Sequence, residues 1–244
     1  MKKAIKYIFS FLDKQTFIPS VFSILINPLF IIRYALFKTL KKSFNEISGN
    51  VLDFGCGSSP YKSLIKFEKY VGVDFANENH PVGNSVIDIF YDGSILPLEA
   101  ESFDSIICTE VFEHIPNLDK ILKELHRVLK HEGKILLSVP FVWNEHEIPN
   151  DYQRFSRFGI RLLLENNGFK ILTVQKTSRT IHTITQLWTN AIHLAFFTRF
   201  FMLNYLINFI IVFPFNLVGW ILGWIIPDKK KRLPLNIVIL AEKL

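Results

Sequence analysis

The sequence predicts an α/β fold in three layers, a seven-stranded and mostly parallel sheet with helices on both faces. Short apolar runs at about 50–54, 70–74, 85–90, 105–109, 134–139, 169–176 and 235–241 read as strands, and helical patterns lie between several of them. The clearest helix covers 118–130, where Ile121, Leu122, Leu125, Val128 and Leu129 recur at helical spacing behind a Pro116-Asn117 cap. Strands alternating with helices imply parallel pairing, with a ligand at the carboxyl ends of the strands where their order reverses.

The first strand ends in a glycine turn, Val51-Leu52-Asp53-Phe54-Gly55-Cys56-Gly57, and the second, Tyr70-Val71-Gly72-Val73-Asp74, ends in a carboxylate. Glycines let the backbone approach a ligand with no Cβ in the way, and an acid at the end of the next strand can take both hydroxyls of a ribose. The frame Gly55-Cys56-Gly57-Ser58-Ser59-Pro60 lacks the third glycine of a dinucleotide fingerprint. Asp53 also places negative charge where a pyrophosphate would avoid it. A carboxylate there suits an adenosine ligand with a cationic end, which points to S-adenosylmethionine; the competing reading is a purely structural turn.

The next segments arrive in a set order: Asp92-Gly93-Ser94-Ile95-Leu96-Pro97, Ser102-Phe103-Asp104-Ser105-Ile106-Ile107-Cys108, Glu110-Val111-Phe112-Glu113-His114-Ile115, Leu125-His126-Arg127-Val128-Leu129-Lys130 and Gly133-Lys134-Ile135-Leu136-Leu137-Ser138-Val139-Pro140. Over about residues 48–176, with a last strand at 235–241, the series resembles class I S-adenosylmethionine-dependent methyltransferases, in particular the type 11 methyltransferase domain. The resemblance implies a seventh strand antiparallel to the rest. It implies that Asp53, Gly55 and Gly57 hold the methionine end, that Asp74 takes the ribose, that Asp92 meets the adenine amino group, and that Thr109 and Glu110 line the floor near the sulfonium. One departure is His131-Glu132-Gly133, where the family usually shows a glycine pair, remote from the cofactor.

Two stretches fall outside that pattern. Residues 1–47 form a basic, apolar N-terminal helical segment, and the methyltransferase domain, 48–244, is interrupted by an apolar helical insertion at 177–234. The whole net charge of +6 resides in residues 1–49, with eight Lys or Arg against two acids. Those cations are interleaved with Phe, Ile and Leu, which suits anionic lipid headgroups better than nucleic acid. Pro19 and Pro28 interrupt the run from Gln15 to Ile32, so short interfacial helices are expected rather than a span. Residues 200–227 carry no charge, and Lys229-Lys230-Lys231-Arg232 follow. Pro214 is expected to split the run into 200–213 and 215–226, each about 20 Å long and short of the ~30 Å hydrocarbon core. A shallow hairpin in one leaflet is expected, and a homodimer contact is the competing use of the stretch. Cys56 and Cys108 read as buried thiols, which suits a reducing cytosol. The location expected is the inner face of the cytoplasmic membrane, with peripheral or monotopic attachment.

Acceptor groups should follow strands four and five. Glu113-His114 lies just past strand four. Phe141-Val142-Trp143-Asn144-Glu145-His146-Glu147 and Asp151-Tyr152-Gln153-Arg154-Phe155 lie past strand five, and aromatics beside carboxylates suit a sugar. The run resembles one seen in methyltransferases encoded beside bacterial surface-glycan genes. His146 is the first choice of general base and His114 the second, with Trp143, Glu145, Glu147, Asp151, Tyr152 and Arg154 as acceptor contacts. No metal is assigned, because no spacing rule supports one on Glu145, His146 and Asp151. The expected activity is methyl transfer to a hydroxyl of a membrane-associated acceptor, a lipid-linked sugar of cell-surface polysaccharide assembly. The rivals are a lipid or quinone methyltransferase and an inactive membrane-anchored scaffold.

Overall fold

The structure is a computed structural model that describes residues 15–75, 86–93, 95–196 and 198–244. Residues 1–14 of the basic segment, and the first residue of the strand expected at 85–90, lie outside the described residues. In chain order the main elements are α1 (Phe30–Ser43), β1 (Asn50–Phe54), β2 (Lys69–Phe75), β3 (Ile89–Tyr91), β4 (Phe103–Thr109), α2 (Leu118–Val128), β5 (Leu129–Pro140), α3 (Arg157–Asn166), β6 (Phe169–Lys176), α4 (Thr180–Phe196), α5 (Phe201–Ile207), α6 (Phe213–Ile225) and β7 (Asn236–Lys243). The chain divides into two compact units, Leu40–Gln175 with Asn236–Leu244 and Met1–Thr39 with Lys176–Leu235.

The first unit carries the sheet, whose strand order is β3-β2-β1-β4-β5-β7-β6. β1 pairs in parallel with β2 and β4, β2 with β3, and β4 with β5, whereas β7 runs antiparallel to β5 from Lys134↔Glu242 to Pro140↔Asn236. The order reverses between β1 and β4, so their carboxyl ends splay and leave a crevice. The central strands are buried along nearly their whole length, as a sheet covered on both faces requires. α2 buries Ile121, Leu122, Leu125 and Val128, and Asn117 caps it by accepting from the Lys120 amide at 3.2 Å. Ser156 caps α3 in the same way, accepting from the Gly159 amide at 3.1 Å. Where the family shows a glycine, Glu132 adopts φ +60°.

The second unit is built in the opposite sense. On α4 and α6 the buried residues are His182, Thr183, Gln186, Thr189, Asn190, Asn216, Gly219 and Gly223. The exposed residues include Trp188, Leu194, Phe209, Ile210, Phe215, Val218, Trp224 and Ile225. Polar contacts stitch the interior. Gln186 donates to the Pro28 carbonyl at 3.0 Å and accepts from the Ile32 amide at 3.0 Å. Thr189 donates to Asn216 at 3.1 Å, and His193 Nδ1 lies 2.9 Å from Asn208 Oδ1. Gly219 and Gly223 let α6 close onto α4, since a Cβ would fall 2.1 Å from Thr185 at the first and 2.1 Å from His182 at the second.

The expected break at Pro214 does not occur. α5, a π-helical turn at Asn208–Val212 and α6 form one unbroken helical run, with Pro214 in the first turn of α6. A proline has no N–H to give and crowds the preceding turn; the π turn just upstream lets the chain absorb both without a kink. The hairpin is therefore α4 against the whole 201–225 run, and the argument from two short halves fails. Asn208–Ile225 is, among the described residues, one helix long and apolar enough to cross a membrane by length and composition, and 28% of it is buried. Before β1, a 3₁₀ turn at Val21–Leu25 and α1 follow Pro19 and Pro28, as expected of interrupted short helices.

Gly219→Val should separate α4 from α6 and expose the interior polar groups. Limited proteolysis should then cut faster between 177 and 234 while the sheet unit stays resistant; equal cleavage in both proteins would contradict the close packing.

Candidate active site

A cleft of about 370 Å³ opens at the carboxyl ends of β1, β2 and β4, within the usual size range for small-ligand sites. On one side lie Gly55, Asp74, Phe75 and Tyr91; on the other, Glu110, His114, Glu147 and Tyr152. Gly55 adopts φ +72° and Gly57 φ +52°, and a Cβ on Gly55 would fall 2.3 Å from Val111. Only glycine meets both demands at that position. The turn is tied to β2 three times: the Gly55 and Cys56 amides donate to the Val73 carbonyl at 2.8 and 3.1 Å, and the Gly57 amide to Asp74 Oδ2 at 2.7 Å. Asp74 Oδ1 accepts from the Phe75 amide at 2.8 Å. Phe75 and Tyr91 stand edge to face at 4.9 Å beside it, an aromatic wall suited to a planar base.

Asp53 does not line the cleft. It is buried and accepts a short hydrogen bond from the Tyr70 hydroxyl. Burial pushes its pKa up to about 6, against the opposing pull of the Tyr70 hydrogen bond. Asp92 is exposed and Thr109 half-buried; neither lines the cleft. Glu110 does. It takes φ +54°, its amide donates to the Ser138 carbonyl at 3.0 Å, and its carboxylate accepts from Ser138 Oγ and Asn236 Nδ2 at 2.6 Å each. A left-handed backbone at a non-glycine residue, pinned from β5 and β7, is the kind of strain a binding site retains.

The acceptor side centres on a residue that the sequence did not single out by itself. Glu113 is 0% exposed and neither carboxylate oxygen has a hydrogen-bond partner. Burial, and then the neighbouring Glu110 charge, raise its pKa well above the usual carboxylate range. His114 Nε2 lies 3.8 Å and His146 Nε2 4.0 Å from Glu113 Oε1, and the two imidazoles meet edge to face at 4.7 Å. His114 Nδ1 lies 2.7 Å from the Asn150 carbonyl; a carbonyl only accepts, so Nδ1 carries a proton and donates it there. Asp151 Oδ2 accepts from the His146 amide at 3.0 Å, while His146 Nδ1, 3.3 Å away, makes no hydrogen bond. Burial, followed by His114, lowers the His146 pKa.

The structure thus brings His114 and His146 together, but only His114 lines the cleft. Glu147 and Tyr152 line it as expected; Trp143 and Glu145 do not. Asp151 and Arg154 form a two-pronged ion pair at 2.5 and 2.6 Å, which holds the Asp151 carboxyl well below the usual range. They shape the loop rather than face the cleft. The Tyr152 amide donates to the Glu113 carbonyl at 2.9 Å, which anchors the loop past β5 to the turn past β4.

A sequence profile described as a methyltransferase domain matches residues 31–174. An uncharacterised protein of Methanocaldococcus jannaschii is 29% identical over 54% of this chain and 60% of its own. A ubiquinone biosynthesis O-methyltransferase of Coxiella burnetii is 30% identical over 46% of this chain and 52% of its own. The match therefore spans little more than half the length of these relatives. The crystal structure of an S-adenosylmethionine-dependent methyltransferase from Mesorhizobium loti has the same fold, with a TM-score of 0.54 at 13% identity over 87% of this chain and all of that one.

The Asp53 carboxyl binds its proton more tightly folded than unfolded, so stability falls as pH rises from about 4, the ordinary carboxylate value, through about 6. Asp53→Asn should raise the melting temperature at pH 7.5, and the gain should shrink as pH drops through that window; a gain independent of pH would contradict the buried carboxylate.

Proposed function

Because the chain belongs to the methyltransferase-domain family, we propose that it transfers a methyl group from S-adenosylmethionine to a hydroxyl of a membrane-associated acceptor. The observation that carries this reading is the strained glycine turn tied to Asp74 at the point where strand order reverses. The residues fit the donor. The space a Cβ at Gly55 would fill is closed, so the backbone itself forms the wall of the cleft. A carboxylate offers about four acceptor sites, so Asp74 can hold the turn and take ribose hydroxyls. Phe75 and Tyr91 would flank the adenine. Glu110 would face the cationic end, a role that the resemblance also suggested for Asp53, which instead supports the turn from behind.

When bound, S-adenosylmethionine supplies a methyl group already activated by a sulfonium. The chain then has to place the acceptor oxygen in line and remove its proton. His114, with Nδ1 fixed on a carbonyl, opens onto the cleft, where its Nε2 would take the proton and the Glu113–His114–His146 cluster would pass it on. His114→Ala should lower kcat by roughly 10²–10⁴-fold with little change in donor affinity, measured by transfer of labelled methyl groups. An unchanged kcat would remove the cluster from the chemistry.

The acceptor class rests on two features. The loop past β5 puts the Tyr152 ring and the Glu147 carboxylate on the cleft wall, an aromatic beside a carboxylate, as suits a sugar ring with its hydroxyls. α4 and α6 present apolar residues outward and polar ones inward, the reverse of helices in a water-soluble bundle, and Lys229, Lys230 and Arg232 are exposed after α6. Two glycines four residues apart at a helix contact, Gly219 and Gly223, are a packing device of helices in lipid. Both ends of the insertion return to one sheet, through β6 and β7, which suits a hairpin held in one leaflet at the cytoplasmic face. An anchor on the same chain raises the local concentration of lipid-linked acceptors. A quinone or lipid acceptor is the second reading, favoured by the Coxiella burnetii relative's name; the polar loop favours the sugar.

The protein should float with anionic phospholipid vesicles and stay bound in high salt, since apolar contact outlasts screening. A well-defined soluble dimer that ignores vesicles would contradict the membrane reading. Methyl label should enter the lipid-linked saccharide fraction of a membrane extract, and label confined to free lipid or quinone would replace the sugar as acceptor.

A further inference from the structure

We infer that Glu113, His114 and His146 form a binding site for a first-row divalent transition metal such as Zn²⁺. One ligand atom from each, a Glu113 carboxylate oxygen and one ring nitrogen from each histidine, lies within 4.8 Å of the other two. The geometry is open compared with a loaded site, where bonds of about 2.1 Å at tetrahedral angles set ligand atoms roughly 3.4 Å apart. Loading the site would have to draw the three ligand atoms together by that difference.

Three independent features point to a cation. The first is Glu113 itself. A fully buried carboxylate with both oxygens unpartnered lacks the compensation that buried polar groups almost always have, and a divalent ion supplies it. The second is the setting of the two rings. His114 holds its Nδ1 proton on the Asn150 carbonyl at 2.7 Å, whereas His146 Nδ1 lies 3.3 Å from Asp151 Oδ2 without a hydrogen bond to it. Both Nε2 atoms lie near Glu113 Oε1, and on His114 a backbone carbonyl fixes the ring as outer groups orient metal-bound histidines. The third is the outer anchor: Asp151 is locked by Arg154 and by the His146 backbone amide. That use of Asp151 also explains why Glu145, His146 and Asp151 are not the ligand set.

Two nitrogens and one oxygen favour zinc, iron, cobalt or nickel over magnesium or calcium. Three protein ligands leave a coordination position open, as in catalytic rather than structural sites. His114 lines the cleft, so a hydroxyl entering it could take that position; His114 Nε2 would then be a ligand and not a base, and the ion would ease loss of the hydroxyl proton to solvent in its place. This use of the ion rests on the methyl-transfer reading; its binding does not.

The test is calorimetric titration of chelator-treated, full-length protein with Zn²⁺, and with Co²⁺ followed by its visible absorption. S-adenosylmethionine binding is measured on the same sample. One equivalent should bind with micromolar or tighter affinity, and Co²⁺ should show the bands of nitrogen–oxygen coordination. Glu113→Gln and His146→Ala should abolish stoichiometric binding, and Asp151→Asn should weaken it by roughly 10–100-fold. Because Glu113 is buried, circular dichroism of each variant establishes folding; His146→Ala, at a half-buried site, carries the test if Glu113→Gln does not fold. Absence of stoichiometric metal in protein that binds S-adenosylmethionine, or binding unchanged by the variants, overturns the site. Metal bound by protein that fails to bind S-adenosylmethionine leaves the site standing and removes the methyltransferase reading instead.

Discussion

The cleft depends on one short tie, the Asp74 carboxylate holding the Gly57 amide at 2.7 Å while its other oxygen holds Phe75. That contact joins the end of β2 to the turn after β1, where the strand order reverses. It acts beside the Gly55 and Cys56 amides, which both donate to the Val73 carbonyl, and opposes the conformational freedom glycine gains on release. With it, Gly55 sits against Val111 so closely that no side chain fits between them. The position of Glu110, and through it the turn carrying Glu113 and His114, follows from the same crowding at the ends of β1 and β4.

The helical unit answers to a different solvent. Water drives apolar side chains inward in the sheet unit, but on α4 and α6 the interior is polar and the exterior apolar. Such an interior is stable only if each amide and hydroxyl finds a partner, and Gln186, Thr189, Asn208 and Asn216 do so across helices. Helices that cannot be driven together by water must pack closely, which Gly219 and Gly223 allow. The two units thus follow the same rules of polar satisfaction and close packing, with the apolar face turned in opposite directions.

The sheet was legible because its signals are local. The glycine turn, Asp74, and the spacing of Ile121, Leu122, Leu125 and Val128 each follow from a few neighbouring residues. The helical run through Pro214 was not, because a π turn at Asn208–Val212 offsets the proline and leaves no mark in composition. Nor does the sequence mark that the polar residues His182, Thr183, Gln186, Thr189, Asn190 and Asn216 of α4 and α6 are the buried ones. Phe75 and Tyr91 could have been found, since each sits at the end of a strand edging the expected ligand. Glu113 could not: only the return of the loop past β5, which brings His146 to it, shows that its carboxylate is enclosed. Asp53 was read from its place in the motif, whereas the phenol of Tyr70, on the neighbouring strand, takes its carboxylate.

The central claim is that the turn and Asp74 form an S-adenosylmethionine site. Isothermal titration of the purified protein with S-adenosylmethionine, beside Asp74→Ala, tests it most directly. The account predicts saturable one-to-one binding that is lost in the variant while its fold persists. No binding by the folded wild type, or equal binding by both proteins, would contradict it.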